Sequence, residues 1–159
     1  MSTDTTARWT TPSDLEVAVT RSFGAPQRLV FDAFTKPEHV ARWMLGPEGW
    51  TMPVCEIDLR PGGRWHMVWR RANGEEMAMT GEYQEVTPHS RTVQTESWGP
   101  DWATTVNTTE FIADGDRTTV VQTMKYPSRA DRDRALDTGM TDGADISYDR
   151  LDAYLAATA

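Results

Sequence analysis

The sequence predicts an α+β domain: an antiparallel sheet of about six to seven strands, two short helices after the first strand, and a long C-terminal helix. Three observations carry this. Six consecutive segments between residues 52 and 126 alternate apolar and polar residues and are bounded by turn residues. Pro26 and Pro37 each open a short helical pattern directly after the first alternating segment. Beyond Pro127-Ser128 the period changes to that of a helix and stays there to about Ala156.

Taken in order, residues 1–13 are Thr-rich and aperiodic and read as a flexible tail with Trp9 as its one anchor; 14–159 read as a single domain. Leu15 to Arg21 alternates as a strand, broken by Gly24-Ala25-Pro26. Leu29, Val30, Ala33 and Phe34 share one helical face, and Glu38 to Met44 forms the second helix, ended by Gly46-Pro47. Met52 to Leu59 and Arg64 to Arg71 form a hairpin across Pro61-Gly62-Gly63. A three-residue loop sets Leu59 opposite Trp65, Ile57 opposite Met67 and Cys55 opposite Trp69, with Glu56, Asp58, Arg64, His66 and Arg70 on the other face. Asn73-Gly74 turns the chain into Glu76 to Val86, where Met77, Met79, Gly81 and Tyr83 share a face. Thr92 to Trp98 follows, then a hairpin of Thr104 to Ala113 and Arg117 to Tyr126. Ser128 caps the last helix, whose stripe is Leu136, Met140, Ala144, Ser147, Tyr148, Leu151, Tyr154 and Leu155.

Composition narrows the function classes. With 24 acidic against 16 basic residues the net charge is -8, which repels nucleic acid and anionic lipid. One cysteine excludes a disulfide framework or a Cys-rich zinc site. No run approaches the ~18 apolar residues of a membrane span, and no apolar signal core opens the chain, so a cytoplasmic location is expected. Seven Trp and eight Met suit either an adaptable apolar binding surface or an ordinary core.

The element order, with Gly24-Ala25-Pro26, Val30-Phe31-Asp32-Ala33-Phe34, Pro37-Glu38-His39 and Arg42-Trp43, resembles the opening of one branch of the helix-grip (START-like) fold. Trp50-Thr51-Met52, Cys55 to Arg64, Gly81 to Val86, Tyr126 to Arg129, Gly139-Met140 and Ser147 to Leu151 continue the likeness over residues 15–156. The chain thus resembles the SRPBCC superfamily, and within it the proteins similar to the C-terminal domain of the activator of the 90-kDa heat-shock chaperone ATPase. That resemblance implies a curved sheet gripping the long helix around a cavity used across the superfamily for lipids, polyketides, hormones and aromatic compounds. It implies no common catalytic residue, and only weakly a chaperone partner.

In such a fold the lining falls to Trp65, Met67, Trp69, Met79, Tyr83 and Trp98 from strands and Met140 and Ala144 from the helix, with Trp43 and Trp50 at the mouth. Whether these side chains leave a pocket or fill a solid core stays open. Gly139 and Gly143 leave room beside Met140, for close packing or for a ligand. Trp98 argues that Thr92, Gln94 and Glu96 face inward; Glu96 is then a buried acid or base, and the alternative is a solvated Glu at a sheet edge. Tyr83 and Tyr148 are hydrogen-bond donors for a ligand carbonyl or rim residues. His39, His66 and His89 lie on different elements and predict no metal site, and no cofactor motif is present. Cys55 reads as a small apolar residue, and Asp131 to Arg134 as a solvated, self-compensating helix start.

Three functions follow: binding of a small apolar or aromatic molecule, a cyclase, dehydratase or lyase on the same pocket through Glu96 or Tyr83, and a chaperone-cofactor-like interaction module. A homodimer would use Trp9, Trp102 and Ile146 as exposed apolar residues.

Overall fold

A computed structural model describes residues 6–158. The described chain runs β1 (Arg8–Thr10), β2 (Glu16–Phe23), α1 (Gln27–Thr35), α2 (Pro37–Trp43), β3 (Trp50–Ile57), β4 (Arg64–Arg71), β5 (Glu76–Thr87), β6 (Arg91–Glu96), β7 (Thr105–Asp114), β8 (Arg117–Lys125), α3 (Arg129–Leu136) and α4 (Met140–Thr158). The sheet order is β1-β2-β8-β7-β6-β5-β4-β3, antiparallel throughout. Six strands therefore form a meander, and β2 returns from the start of the chain to pair with the last of them. This is the α+β helix-grip arrangement, with one strand more than the upper expectation.

The extra strand comes from the segment read as a flexible tail. Trp9 pairs with Val19, is half-buried rather than exposed, and donates its indole N–H to Asp145 Oδ1 at 2.9 Å. Residues 1–5 of that tail lie outside the described residues.

The β3–β4 register differs from the expectation by two residues. Ile57 faces Trp65 and Cys55 faces Met67, so the faces are as read but the partners are not. The connection is longer because Gly62 and Gly63 are recruited elsewhere: Gly62 N–H donates to Tyr83 O and Tyr83 N–H to Gly63 O, both at 2.8 Å. A tight turn would give up both bonds.

Two apolar clusters share the concave side. One joins Phe23, Val30, Phe31, Trp43 and Phe111 to Tyr148, Leu151 and Leu155 of α4. The other joins Val40 of α2 to Trp65, Met67, Trp69, Met79 and Tyr83. At Gly81 the close approach of strands requires glycine: a Cβ there would stand 1.9 Å from Thr95 O and 2.5 Å from the Trp65 indole.

The expected single C-terminal helix is two. Gly139 adopts φ +79°, a left-handed conformation that ends one helix and re-aims the next. Ser128 does cap α3, its Oγ accepting from Asp131 N–H at 3.1 Å. The start of α3 is not wholly solvated, because Arg132 is buried and donates to Ser13 O at 2.7 Å. Arg21, also buried, ties β2 to α4 through Asp149 at 2.8 Å.

Candidate functional site

Between the concave face of the sheet and α4 lies a cavity of about 360 Å³. Alternation along β4 and β5 turns Trp65, Met67, Trp69, Met79 and Tyr83 into it, and Trp50 of β3 adds to the same wall. The same alternation along β6, β7 and β8 turns in Thr92, Gln94, Glu96, Asn107, Thr109 and Gln122. Met140, Gly143, Ala144, Ser147 and Tyr148 of α4 and the loop Met44 to Pro47 cover it.

All ten side chains read from the sequence as lining are thus brought together around one space, which is not filled. Their positions within it differ from expectation in two respects. Trp43 is not at the mouth: it is 1% exposed, donates its indole N–H to Ala33 O at 2.8 Å, and stacks against Tyr148 at the inner end. Trp98, just beyond β6, is 40% exposed at the rim and stacks on Trp69 with ring centroids 5.4 Å apart. Trp50 carries the Arg71 guanidinium over its ring at 5.0 Å. Gly143 faces Pro47, where an added Cβ would make only ordinary contact at 3.8 Å, whereas Gly139 is required by its backbone angle.

Glu96 sits in the middle of the sheet, on β6 between β5 and β7, and not at a solvated edge. It is half-buried and lines the cavity. Oε1 accepts from the Trp98 indole N–H at 2.7 Å and Oε2 from Asn107 Nδ2, whose own Oδ1 accepts from Thr105 Oγ1 at 2.7 Å. Burial raises the Glu96 pKa, opposed by the bonds from Trp98 and Asn107. Beside it Tyr148 donates to Gln122 Oε1, and Gln122 Nε2 donates to Thr109 Oγ1 at 3.3 Å. Burial also lifts the Tyr148 and Tyr83 phenols well above the usual tyrosine range, and pushes Tyr126 up to about 12. Near neutral pH all three stay protonated; Tyr148 donates to Gln122, and Tyr126 to the Met140 sulfur at 3.7 Å.

The three histidines and Cys55 lie apart from the cavity. His39 Nδ1 shares a 2.6 Å hydrogen bond with Tyr154, His66 faces Glu56, and His89 packs edge-on to Phe31. Cys55 is half-buried, and burial and the Glu38 carboxylate push its thiol up to about 11, so it remains a thiol. A second depression, lined by Glu56, Arg64, His66, Thr80, Glu82, Thr95 and Ser97 and reaching Trp65 at Gly81, is open and lies among the charged residues of the outer face.

Sequence reasoning missed Asn107, Thr109 and Gln122, and the Met44 to Pro47 cover. The period of β7 was visible, since Thr105, Asn107, Thr109 and Phe111 recur every second residue. No single residue among them marked that face as the inner one.

A family model described as "Activator of Hsp90 ATPase homolog 1-like protein" matches residues 24–156. The chain belongs to that family. Solved structures carry the same fold. A Rhodobacter sphaeroides protein is 23% identical, with 96% of this chain and 99% of that chain covered and a TM-score of 0.89. A Mycobacterium smegmatis protein is 23% identical over 93% and 95% of the two chains, TM-score 0.83. The AHSA1-like protein from Aeromonas hydrophila is 18% identical over 86% and 93%, TM-score 0.70. No match emerges among curated proteins. For this member of the activator-like family, no described helix is long and apolar enough to cross a membrane.

Proposed function

We propose that the protein binds a small hydrophobic or aromatic molecule in the cavity between sheet and α4, and does so in the cytoplasm. One observation carries the reading: an unfilled space of about 360 Å³ stands behind a wall of Trp and Met side chains, within reach of a few convergent polar groups. Burying apolar ligand surface there contributes about 25 cal/mol per Å². The polar groups orient what the apolar wall holds.

The test is tryptophan emission and melting temperature against fatty acids, flavonoids, polyketide-like phenols and an apolar dye. A saturable, competable emission change with a higher melting temperature supports the reading. At 100 times its dissociation constant a ligand adds about 2.7 kcal/mol of stability. A flat response across the panel would reject it and favour the chaperone-cofactor-like module, whose exposed apolar residues include Trp102 and Ile146.

A second reading, proton transfer in a cyclase, dehydratase or lyase, is favoured by Glu96 alone, a carboxyl of raised pKa facing the space a substrate would occupy. Glu96→Gln should then abolish turnover and leave the affinity for a neutral ligand within a few fold.

A further inference from the structure

This inference rests on the cavity being a ligand site and names the chemistry of the ligand. We propose that the cavity selects a flat apolar molecule whose polar end is a neutral or positively charged hydrogen-bond donor, and that it rejects carboxylates and phosphates, fatty acids among them.

The first support is charge. Among the described residues lining the cavity, Glu96 is the one carboxyl, and no Lys, Arg or His accompanies it. The guanidinium groups around the cavity are engaged outside it. Arg71 lies over Trp50 and pairs with Glu75 at 2.8 Å. Arg21 pairs with Asp149, and Arg150 donates to Trp43 O and Gly46 O. An anionic head would enter a desolvated space with no cation to meet it and an acidic group already present.

The second support is the fixed geometry of the carboxyl. Each Glu96 oxygen already accepts one protein hydrogen bond, from Trp98 and Asn107, so the group cannot swing away. Each oxygen keeps acceptor capacity for a further donor. Two residues back on the same face of β6, the Gln94 carboxamide lines the cavity with no protein partner among the described residues. The Glu96 charge in turn raises the Tyr126 and Tyr148 phenols, which bring no positive charge.

The third support is the body of the ligand. The indole that donates to Glu96 is stacked on Trp69, so the carboxyl stands at the edge of an aromatic surface. A flat ring lies well against such a surface, and an ammonium group meets both the carboxylate and the ring faces.

Four naphthalene probes of nearly one shape separate these features: 2-naphthylmethylamine, 2-naphthalenemethanol, 2-ethylnaphthalene and 2-naphthoate, with laurate as a fifth. Dissociation constants come from tryptophan emission and calorimetry at pH 7. The amine and the alcohol are expected to bind at least tenfold tighter than the hydrocarbon, and naphthoate and laurate at least tenfold weaker than it. In Glu96→Gln the amine should lose at least tenfold, while the alcohol stays within about threefold. Tight binding by the amine alone or the alcohol alone would assign the donor as cationic or neutral, and supports the proposal. Naphthoate or laurate binding as tightly as the tighter of the amine and the alcohol would overturn it while leaving the cavity a ligand site. Equal binding of hydrocarbon, alcohol and amine would do the same. Failure of all five would overturn the selectivity and the underlying reading together. If the variant does not fold, the ranking on the wild-type protein decides.

Discussion

The two halves of the concave face are built from the same alternation and the same strand geometry, yet they are opposites in chemistry. Across β3, β4 and β5 the inward positions are Trp50, Trp65, Met67, Trp69, Met79 and Tyr83; across β6, β7 and β8 they include Thr92, Gln94, Glu96, Asn107, Thr109 and Gln122. The first half holds itself by apolar burial and donates few hydrogen bonds into the space. The second holds itself by a chain of side-chain bonds running from Thr105 through Asn107 and Glu96 to Trp98. A wall of the first kind gives affinity without direction, and one of the second kind gives direction at a cost in desolvation.

The contrast can be broken hardest from the apolar side. Trp65 is 2% exposed, and Trp65→Ala should cost about 3–5 kcal/mol, read as a lower urea midpoint at unchanged slope. Gly81→Ala attacks the same wall by overfilling it. With Thr95 O 1.9 Å from the new Cβ, the loss should reach the upper part of the roughly 1–3 kcal/mol usual for overpacking, and a melting temperature equal to wild type would contradict the close approach.

On the polar side the effects are smaller. Asn107→Ala removes one of two donors from Glu96 and leaves Thr105 without its acceptor, costing roughly 1–2 kcal/mol. Glu96 also gives this half a pH dependence that the apolar half lacks. Its folded pKa lies above the ordinary 4.5, so folding takes up a proton between the two values. Stability therefore falls as pH rises from about 4.5 through the folded value, and this contribution is flat below 4.5 and above the folded value; denaturation curves of Glu96→Gln over the same range should lose that fall. At the outer face, Arg70→Ala breaks an ion pair with Glu76 of which both members are about half exposed, and a double-mutant cycle should return less than about 1 kcal/mol.

The difference between the halves also marks what the sequence could convey. The face parity of β4 and β5 was legible because large apolar residues at every second position leave one consistent assignment. Its register was not, since the loop is set by backbone bonds from Gly62 and Gly63 to Tyr83, a strand away. Glu96 was legible as inward only through Trp98, and its place at the centre of the sheet required the strand order. Arg132 looked like part of a solvated charge run because its partner, Ser13 O, is 119 residues distant. Gly139 was visible as a weak point in the helix, but a positive φ is a property of the packed chain.

The return of β2 to β8 has a kinetic consequence. Strands β3 to β8 each pair with the next strand in the chain and can form hairpin by hairpin, but Glu16 meets Lys125 only after the whole meander exists. Closing that long loop is the slow, non-local step expected to limit the folding rate. On the ribosome β2 would emerge early with only β1 beside it, and the cavity would come into being last, when β2 arrives at β8 and Arg21 reaches Asp149 on the final helix.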